Sequence, residues 1–131
     1  MSLTERLAAY LEEYFPDVPV YSEIDPNREW NGQTMIEIGE PDDPEFLTFL
    51  DGTMQTTRTL YATVRAATQG EAATAADTLE TNLKTALESE ETQGNIYTWA
   101  VDAKDVTPDA RGVVSGESFY GYIEFTVIER N

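Results

Sequence analysis

Nearly all the residues able to do chemistry in this sequence are carboxylates. The 131-residue chain contains 25 aspartates and glutamates but only two lysines, Lys84 and Lys104, and it has neither histidine nor cysteine. Thiolate nucleophiles, disulfides, histidine-based proton transfer and Cys/His zinc sites are therefore excluded. Any reaction at this chain would have to use carboxylates, lysine, tyrosine, serine or threonine.

Three clusters of carboxylates are candidate ligands for Ca²⁺ or Mg²⁺, which prefer oxygen. They are Glu12-Glu13, Asp42-Asp43-Pro44-Glu45, and the group of Glu88, Glu90 and Glu91. The second cluster lacks the D-x-D-x-D-G spacing of a calcium loop, and the other two fall on predicted helices, where they point into solvent. Such clusters arise by chance in so acidic a chain, so we assign no metal and no cofactor.

Two carboxylates, Glu37 and Glu124, lie within otherwise apolar strand patterns and are the candidates for acid–base work. A general acid must be desolvated before its pKa rises. Strand alternation predicts Glu37 on the solvated face, and Glu124 stands between Tyr122 and Thr126. No phosphate-binding glycine loop is present. The sequence favours a protein that is not an enzyme, with a small carboxylate-dependent hydrolase or ligand-binding module as the alternative.

The net charge of −17 argues against nucleic acid and anionic membrane as partners, because these are bound through clustered Lys and Arg. No apolar run is long enough to span a membrane, and the N-terminus is too polar for a signal peptide. Three explanations of the acidity stay open: solubility, adaptation to high salt, and a negative surface lining a channel. The scarcity of lysine and the frequent threonine resemble proteins of salt-loving archaea. Molar salt shortens the Debye length to about 3 Å and screens self-repulsion.

Two helices are predicted from capping signals followed by apolar residues at helical spacing. Ser2 and Glu5 form a capping box, which predicts a helix over residues 3–15 that ends before Pro16. Thr68 and Glu71 repeat the spacing ahead of an alanine- and leucine-rich helix that should end near Glu90.

Strands are predicted from alternation at residues 18–24, 33–38, 56–68, 96–106 and 118–130, with a further apolar segment at 46–50. Asn31-Gly32 predicts a hairpin of the type I′ kind between the first two, and residues 107–117 a mobile loop. The chain is therefore predicted to be a single α+β domain spanning residues 1–131. Its antiparallel or mixed sheet would have about four to six strands, with both helices packed on one face.

Some large apolar side chains have no evident place in a core. The last strand carries them on both rows, which predicts that it is either central in the sheet or in contact with a partner on its second face. The segment 46–50 is apolar on both faces, so it either meets a partner or is buried under the second helix. Trp30, beside a turn, is either tucked back or an anchor for a partner, whereas Trp99 at strand spacing is expected in the core. The candidate subunit or partner interface consists of Trp30, Phe46, Leu47, Phe49, Leu50, Tyr120, Tyr122 and Ile128.

The organisation of nearly the whole chain resembles a known family. A first amphipathic helix precedes the extended Val18-Pro19-Val20-Tyr21, and a long strand contains Thr59-Leu60-Tyr61-Ala62-Thr63-Val64-Arg65. An Ala/Leu/acidic helix and a C-terminal Phe-x-Gly-Tyr-Ile-Glu-Phe strand follow. This order resembles the tail terminator proteins of long-tailed phages and related viruses. Together with the acidic composition, it is similar to what a virus of salt-loving archaea would carry.

The resemblance implies a virion structural protein of the tail and neck, made in the host cytoplasm during assembly. Its copies would form a ring, a hexamer in the family, that ends tail-tube polymerisation and contacts the tube protein and the neck connector. The family's loop between the early strands, here about residues 39–54, would make ring or tube contacts. Ring closure requires a heterologous interface between two different patches. A head-completion, or stopper, protein of the neck is the alternative within this class.

Overall fold

The structure, a computed structural model, describes residues 1–25, 27–108 and 118–130. Most of the predicted loop at 107–117 therefore lies outside the described residues. Within them, no helix is both long and apolar enough to cross a membrane. In chain order the elements are α1 (Leu3–Tyr14), β1 (Val20–Tyr21), β2 (Met35–Gly39), β3 (Glu45–Thr48), β4 (Met54–Ala66), α2 (Gln69–Thr92), β5 (Thr98–Pro108) and β6 (Phe119–Arg130).

The six strands form one mixed sheet in the order β1-β2-β4-β6-β5, with β3 also paired to β4. The pairs are antiparallel except β1–β2, which is parallel. β2 and β3 follow each other along the same edge of β4: β2 pairs with residues 61–65 and β3 with residues 54–57. The predicted α+β class, with its mixed sheet and two helices, is confirmed.

Both helices cover the same face of the sheet. α2 packs across β4, β6 and β5, while α1 packs against α2, β1 and β2. The row of side chains that faces them is fully buried and comprises Ile36, Ile38, Leu60, Ala62, Val64, Ile123, Phe125 and Val127. Near the edge, Lys104 of β5 reaches α2 through an Nζ–Oδ1 distance of 2.6 Å to Asp77. We call the opposite face of the sheet the outward face.

The helix starts match the capping prediction. The N–H of Glu5 donates to Ser2 Oγ at 3.2 Å, and the Glu5 carboxylate accepts from the Ser2 N–H at 3.3 Å. At α2, the N–H of Glu71 donates to Thr68 Oγ1 at 3.1 Å. α2 continues to Thr92, two residues beyond the predicted end, and is followed by Gly94 at a φ of +80°. This left-handed conformation suits glycine and ends the helix.

The hairpin predicted at Asn31-Gly32 is wrong. β1 and β2 are neighbouring parallel strands, with Val20 opposite Ile36. After β1 the chain must therefore return to the end of the sheet at which β1 began before β2 can start. Residues 22–34 make this connection, which we call the crossover. Gly32 has a φ of +89°, but no described non-glycine residue has a positive φ, so Asn31 does not provide the first centre of a type I′ turn.

Close packing of α2 on the sheet depends on Gly121. A Cβ at this position would lie 3.0 Å from Val64 Cγ1 and 3.1 Å from Ala76 Cβ. We expect Gly121→Val to lower the free energy of unfolding by about 1–3 kcal/mol because it overpacks this contact. Gly70→Ala, in the first turn of α2 with nothing within 4 Å, is the control and should be neutral or stabilising. Urea denaturation measures both, and an equal loss for the two variants would contradict the packing argument.

Candidate functional site

Four of the seven large apolar side chains that are exposed in the described part of the chain lie in one segment, the apolar hairpin, which we define as residues 45–57. All four residues of β3 are exposed. Phe46 and Leu47 are 64% and 54% exposed, Phe49 is 38% exposed and Leu50 is fully exposed. Fully burying a side chain of this size stabilises a protein by about 1.5–3 kcal/mol. The chain on its own does not gain most of this free energy at these four residues.

The turn of the hairpin is well defined. Phe49 N–H donates to the Thr53 carbonyl at 2.8 Å, and Gly52 has a φ of +88°. The Asp51 carboxylate accepts from Thr53 Oγ1 at 2.7 Å and from the Thr53 N–H at 3.0 Å. These two hydrogen bonds lower the pKa of Asp51 below its ordinary value. The apolar tip is thus presented on an ordered turn.

The alternative that residues 46–50 are buried under α2 is wrong. β3 pairs with residues 54–57 of β4, where Thr56 is the one buried residue, whereas the buried apolar row of β4 that faces the helices begins further along, at Leu60. The hairpin therefore extends past the part of the sheet that the helices cover. Its four predicted interface residues are brought together at one end of the molecule.

The surroundings of the hairpin are acidic. Asp42, Asp43, Glu45 and Asp51 are all exposed. The chain has no lysine or arginine between residues 29 and 57. Arg58, the next cation, is paired with Glu40 at 3.0 Å and with Glu129 at 2.6 Å on the helix-facing side. The hairpin consequently combines exposed apolar side chains with an acidic rim.

A cation lies on the other side of the hairpin, next to β6. The Arg130 guanidinium stacks 4.0 Å from the centroid of the Tyr97 ring and lies 5.8 Å from that of Phe49. Tyr97 is half-exposed and precedes β5, which begins at Thr98. The sequence prediction missed this group because it extended the strand alternation back through Tyr97. Trp99, by contrast, packs against the core as predicted.

The outward face carries the other predicted residues. The register places Tyr61 beside Glu124 and Thr63 beside Tyr122, with Tyr120 and Ile128 further along the same row of β6. The β6 members are half-buried, and the Tyr120 and Tyr122 ring centroids lie 6.1 Å apart. Partial desolvation and the nearby Glu124 carboxylate raise the pKa of Tyr61. This is a broad surface rich in tyrosines, and it adjoins the apolar hairpin at Ile128, which pairs with Thr57.

Glu37 does not lie on a solvated surface, and that prediction is wrong. It points to the outward face as alternation requires, but the crossover lies over it and leaves its side chain 1% exposed. Its carboxylate accepts from Arg28 Nε at 3.1 Å and from the Asp25 N–H at 2.9 Å. Arg28 in turn stacks 3.7 Å from the centroid of the Tyr21 ring. The Glu37 carboxylate thus holds the crossover against the sheet, and its own side chain is closed to a substrate.

Trp30 lies in the crossover and is tucked back. Its side chain is half-buried, the indole N–H donates to the Gln33 carbonyl at 2.7 Å, and the Arg65 guanidinium lies 5.5 Å from the ring centroid. The structure thus places Trp30 away from the apolar hairpin. Its contact with a partner stays a prediction.

The arrangement offers little for chemistry. Within residues 1–25, 27–108 and 118–130, no group of three or more carboxylates is placed to hold a metal ion. Glu124 is half-buried beside the Tyr61 hydroxyl at 3.4 Å, on an open sheet face. The exposed apolar side chains point instead to protein contacts. Neither the protein-family models nor the curated proteins compared with this sequence gave a match.

The Asp51 turn generates a pH prediction. A carboxyl whose pKa is lowered on folding stabilises the turn above its unfolded pKa, and this contribution disappears as pH falls through the folded value. We expect Thr53→Val to raise the pKa of Asp51 toward its ordinary value, because the hydroxyl donor is lost. NMR titration of the Asp51 carboxyl measures this, with Thr57→Val as the control. An unchanged titration in Thr53→Val would contradict the assigned cause.

The buried ion pair generates a stability prediction. Glu37→Gln removes the charge that Arg28 faces, so we expect it to lower the free energy of unfolding by about 1–3 kcal/mol. Glu23→Gln is the matched control, because Glu23 faces the same guanidinium at 3.9 Å with an 80% exposed side chain. Its effect should stay within about 0.5 kcal/mol. Equal effects in urea denaturation would mean that burial does not distinguish the two carboxylates.

Proposed function

We propose that this protein is a structural assembly subunit of a tailed virus, a tail terminator whose copies form a ring that caps the tail tube and joins it to the neck. The observation that carries the proposal is the apolar hairpin, which exposes Phe46, Leu47, Phe49 and Leu50 at one end of the molecule. Monomeric proteins seldom expose so many large apolar side chains together without a partner to cover them.

The two surfaces suit different contacts. The outward face spreads half-buried tyrosines across the middle of the sheet, and we assign the contact between neighbouring copies to it. The apolar hairpin extends beyond the helices and is suited to a component outside the ring. A closed ring joins unlike patches of adjacent copies, so the outward face would meet a different part of the next subunit.

The charge supports a role in assembly under high salt. At low ionic strength, a net charge of −17 on each copy opposes association. Near molar salt the Debye length falls to about 3 Å, and contacts through apolar surface can then form without long-range repulsion. A ring lumen lined by carboxylates would also let DNA pass without binding it.

Self-association should therefore depend on salt and on the outward face. We expect sedimentation velocity to show monomers at 0.1 M KCl and a closed oligomer at 3 M KCl. Tyr122→Glu places a charge in the proposed ring contact and should raise the concentration needed for assembly at least tenfold.

Tyr14→Glu is the matched control, because Tyr14 is exposed on α1, away from the outward face, and it should leave assembly unchanged. Wild-type protein that stays monomeric at every concentration and salt level would contradict the ring. Equal effects of the two substitutions would contradict its assignment to the outward face.

A further inference from the structure

We propose that the open edge of β3 binds an extended segment of a different protein, which adds to the sheet as a further strand and carries alternating apolar side chains flanked by lysine or arginine. The proposal rests on the assignment of the apolar hairpin as a docking surface. It goes beyond that assignment by naming the mode of binding and the chemistry of the partner.

The backbone of β3 is arranged to receive a strand. In the described part of the chain, β3 pairs with β4 alone, so its other edge has no strand beside it. Phe49 forms a hydrogen-bonded pair with Thr53, and such pairs alternate along an antiparallel ladder. Leu47 and Glu45 therefore point their backbone groups toward β4. The N–H and C=O groups of Phe46 and Thr48 point to the open edge.

The side chains of β3 would flank an added strand on both faces. Phe46 is opposite Thr56 and shares the helix-facing side of the sheet, while Leu47 is opposite Gln55 and shares the outward side. Both are more than half exposed. A strand added at this edge places its own side chains beside Phe46 and Leu47 in turn, so alternate apolar residues on either side gain contacts.

The charge around the edge selects a basic partner. Asp42, Asp43, Glu45 and Asp51 are exposed near the two ends of β3, in a stretch that has no lysine or arginine. Arg130 is on the far side of the hairpin, where it stacks on Tyr97 and lies next to Phe49. Lysine or arginine at the ends of a docked segment would meet these carboxylates, which favours both the encounter and the register.

The same charges argue against a second copy of this chain at the open edge. Antiparallel pairing of two β3 strands would bring the carboxylates of one copy beside those of the other, and like charges close together across strands are destabilising. The chain as a whole, at −17, adds to that repulsion. A basic extended segment of another protein avoids both the repulsion between neighbouring carboxylates and the repulsion between two chains of like net charge.

A random twelve-residue peptide library displayed against the full-length protein at 0.15 M KCl tests the proposal. Clones are kept when they bind the wild-type protein but do not bind the Thr48→Pro variant. This substitution removes an N–H group at the open edge and keeps the backbone groups of β3 that bond to β4. Thr48→Val, which keeps the N–H, is the matched control. We expect the selected peptides to alternate apolar residues and to carry lysine or arginine at their ends, with affinity about tenfold or more weaker for Thr48→Pro than for Thr48→Val.

Three results would overturn the proposal: no peptide that depends on Thr48, selected peptides with helical spacing or acidic ends, or equal loss of binding in Thr48→Pro and Thr48→Val. Slowed amide exchange at Leu47 and Phe49 in free Thr48→Pro shows that the hairpin is still folded. If it is not, the double variant Asp42→Lys/Asp43→Lys replaces it. Selected peptides must then bind that variant about tenfold or more weakly, and unchanged binding overturns the proposal.

The peptides also separate this inference from the proposed ring. Binding at the open edge should slow amide exchange at Phe46 and Thr48 and leave the sedimentation of the oligomer at 3 M KCl unchanged. Failure to select such peptides from a protein that still forms the oligomer would remove the strand partner alone. A protein that binds the peptides but never self-associates would keep the strand partner and lose the ring.

Discussion

Two helices cover only one face of this six-stranded sheet, and the rest of the molecule follows from that limit. α2 packs closely on β4 and β6 because Gly121 and Ala76 let the backbones approach, and α1 closes the core over β1 and β2. Neither helix covers the outward face of the sheet or the end of β4 that pairs with β3. The crossover covers the part over Glu37, the tyrosines of β6 are half-buried, and the apolar hairpin is left exposed. Exposed apolar surface here is a product of the architecture.

The negative charge around the apolar hairpin limits the aggregation that its exposed edge strand would otherwise favour. An exposed apolar edge strand normally invites aggregation, and proteins protect such edges with charged residues. Here the carboxylates near β3, together with the charge of −17, oppose the association of copies at low ionic strength. The same groups make the edge selective, since they favour a basic partner over another copy. Under the proposal, one set of side chains would limit self-association and also select the partner.

Local patterns predicted the parts of the fold that depend on neighbours in sequence. The Ser2–Glu5 capping box, the Thr68 cap and the alternation of β4 and β6 all act within a few residues, and the structure matches them. The parallel pairing of β1 was not predictable in this way. A two-residue strand has no period to read, and the turn signal at Asn31-Gly32 suggested the commoner hairpin.

In the candidate site, too, the features that depend on local sequence were predicted and those that depend on long-range contacts were not. Alternation correctly placed Glu37 on the outward face but not under the crossover, because that burial depends on the long-range contact with Arg28. Phe46 to Leu50 were recognisably surplus apolar residues, yet their spacing does not say what covers them. Their exposure in the structure, together with the pairing of β3 to residues 54–57 of β4, shows that α2 does not cover them. The stack of Arg130 on Tyr97 joins residues far apart in sequence and left no local signal.

The position of the apolar hairpin along β4 has a mechanical consequence. β4 runs unbroken from the hairpin to the centre of the sheet, and its ladder with β6 extends from Gln55 opposite Arg130 to Ala66 opposite Phe119. A pull on a docked hairpin along this direction loads the hydrogen bonds of the ladder in shear, so they share the force and do not open one after another. Tension applied at the tip would therefore be carried into the part of β4 that lies beneath α2.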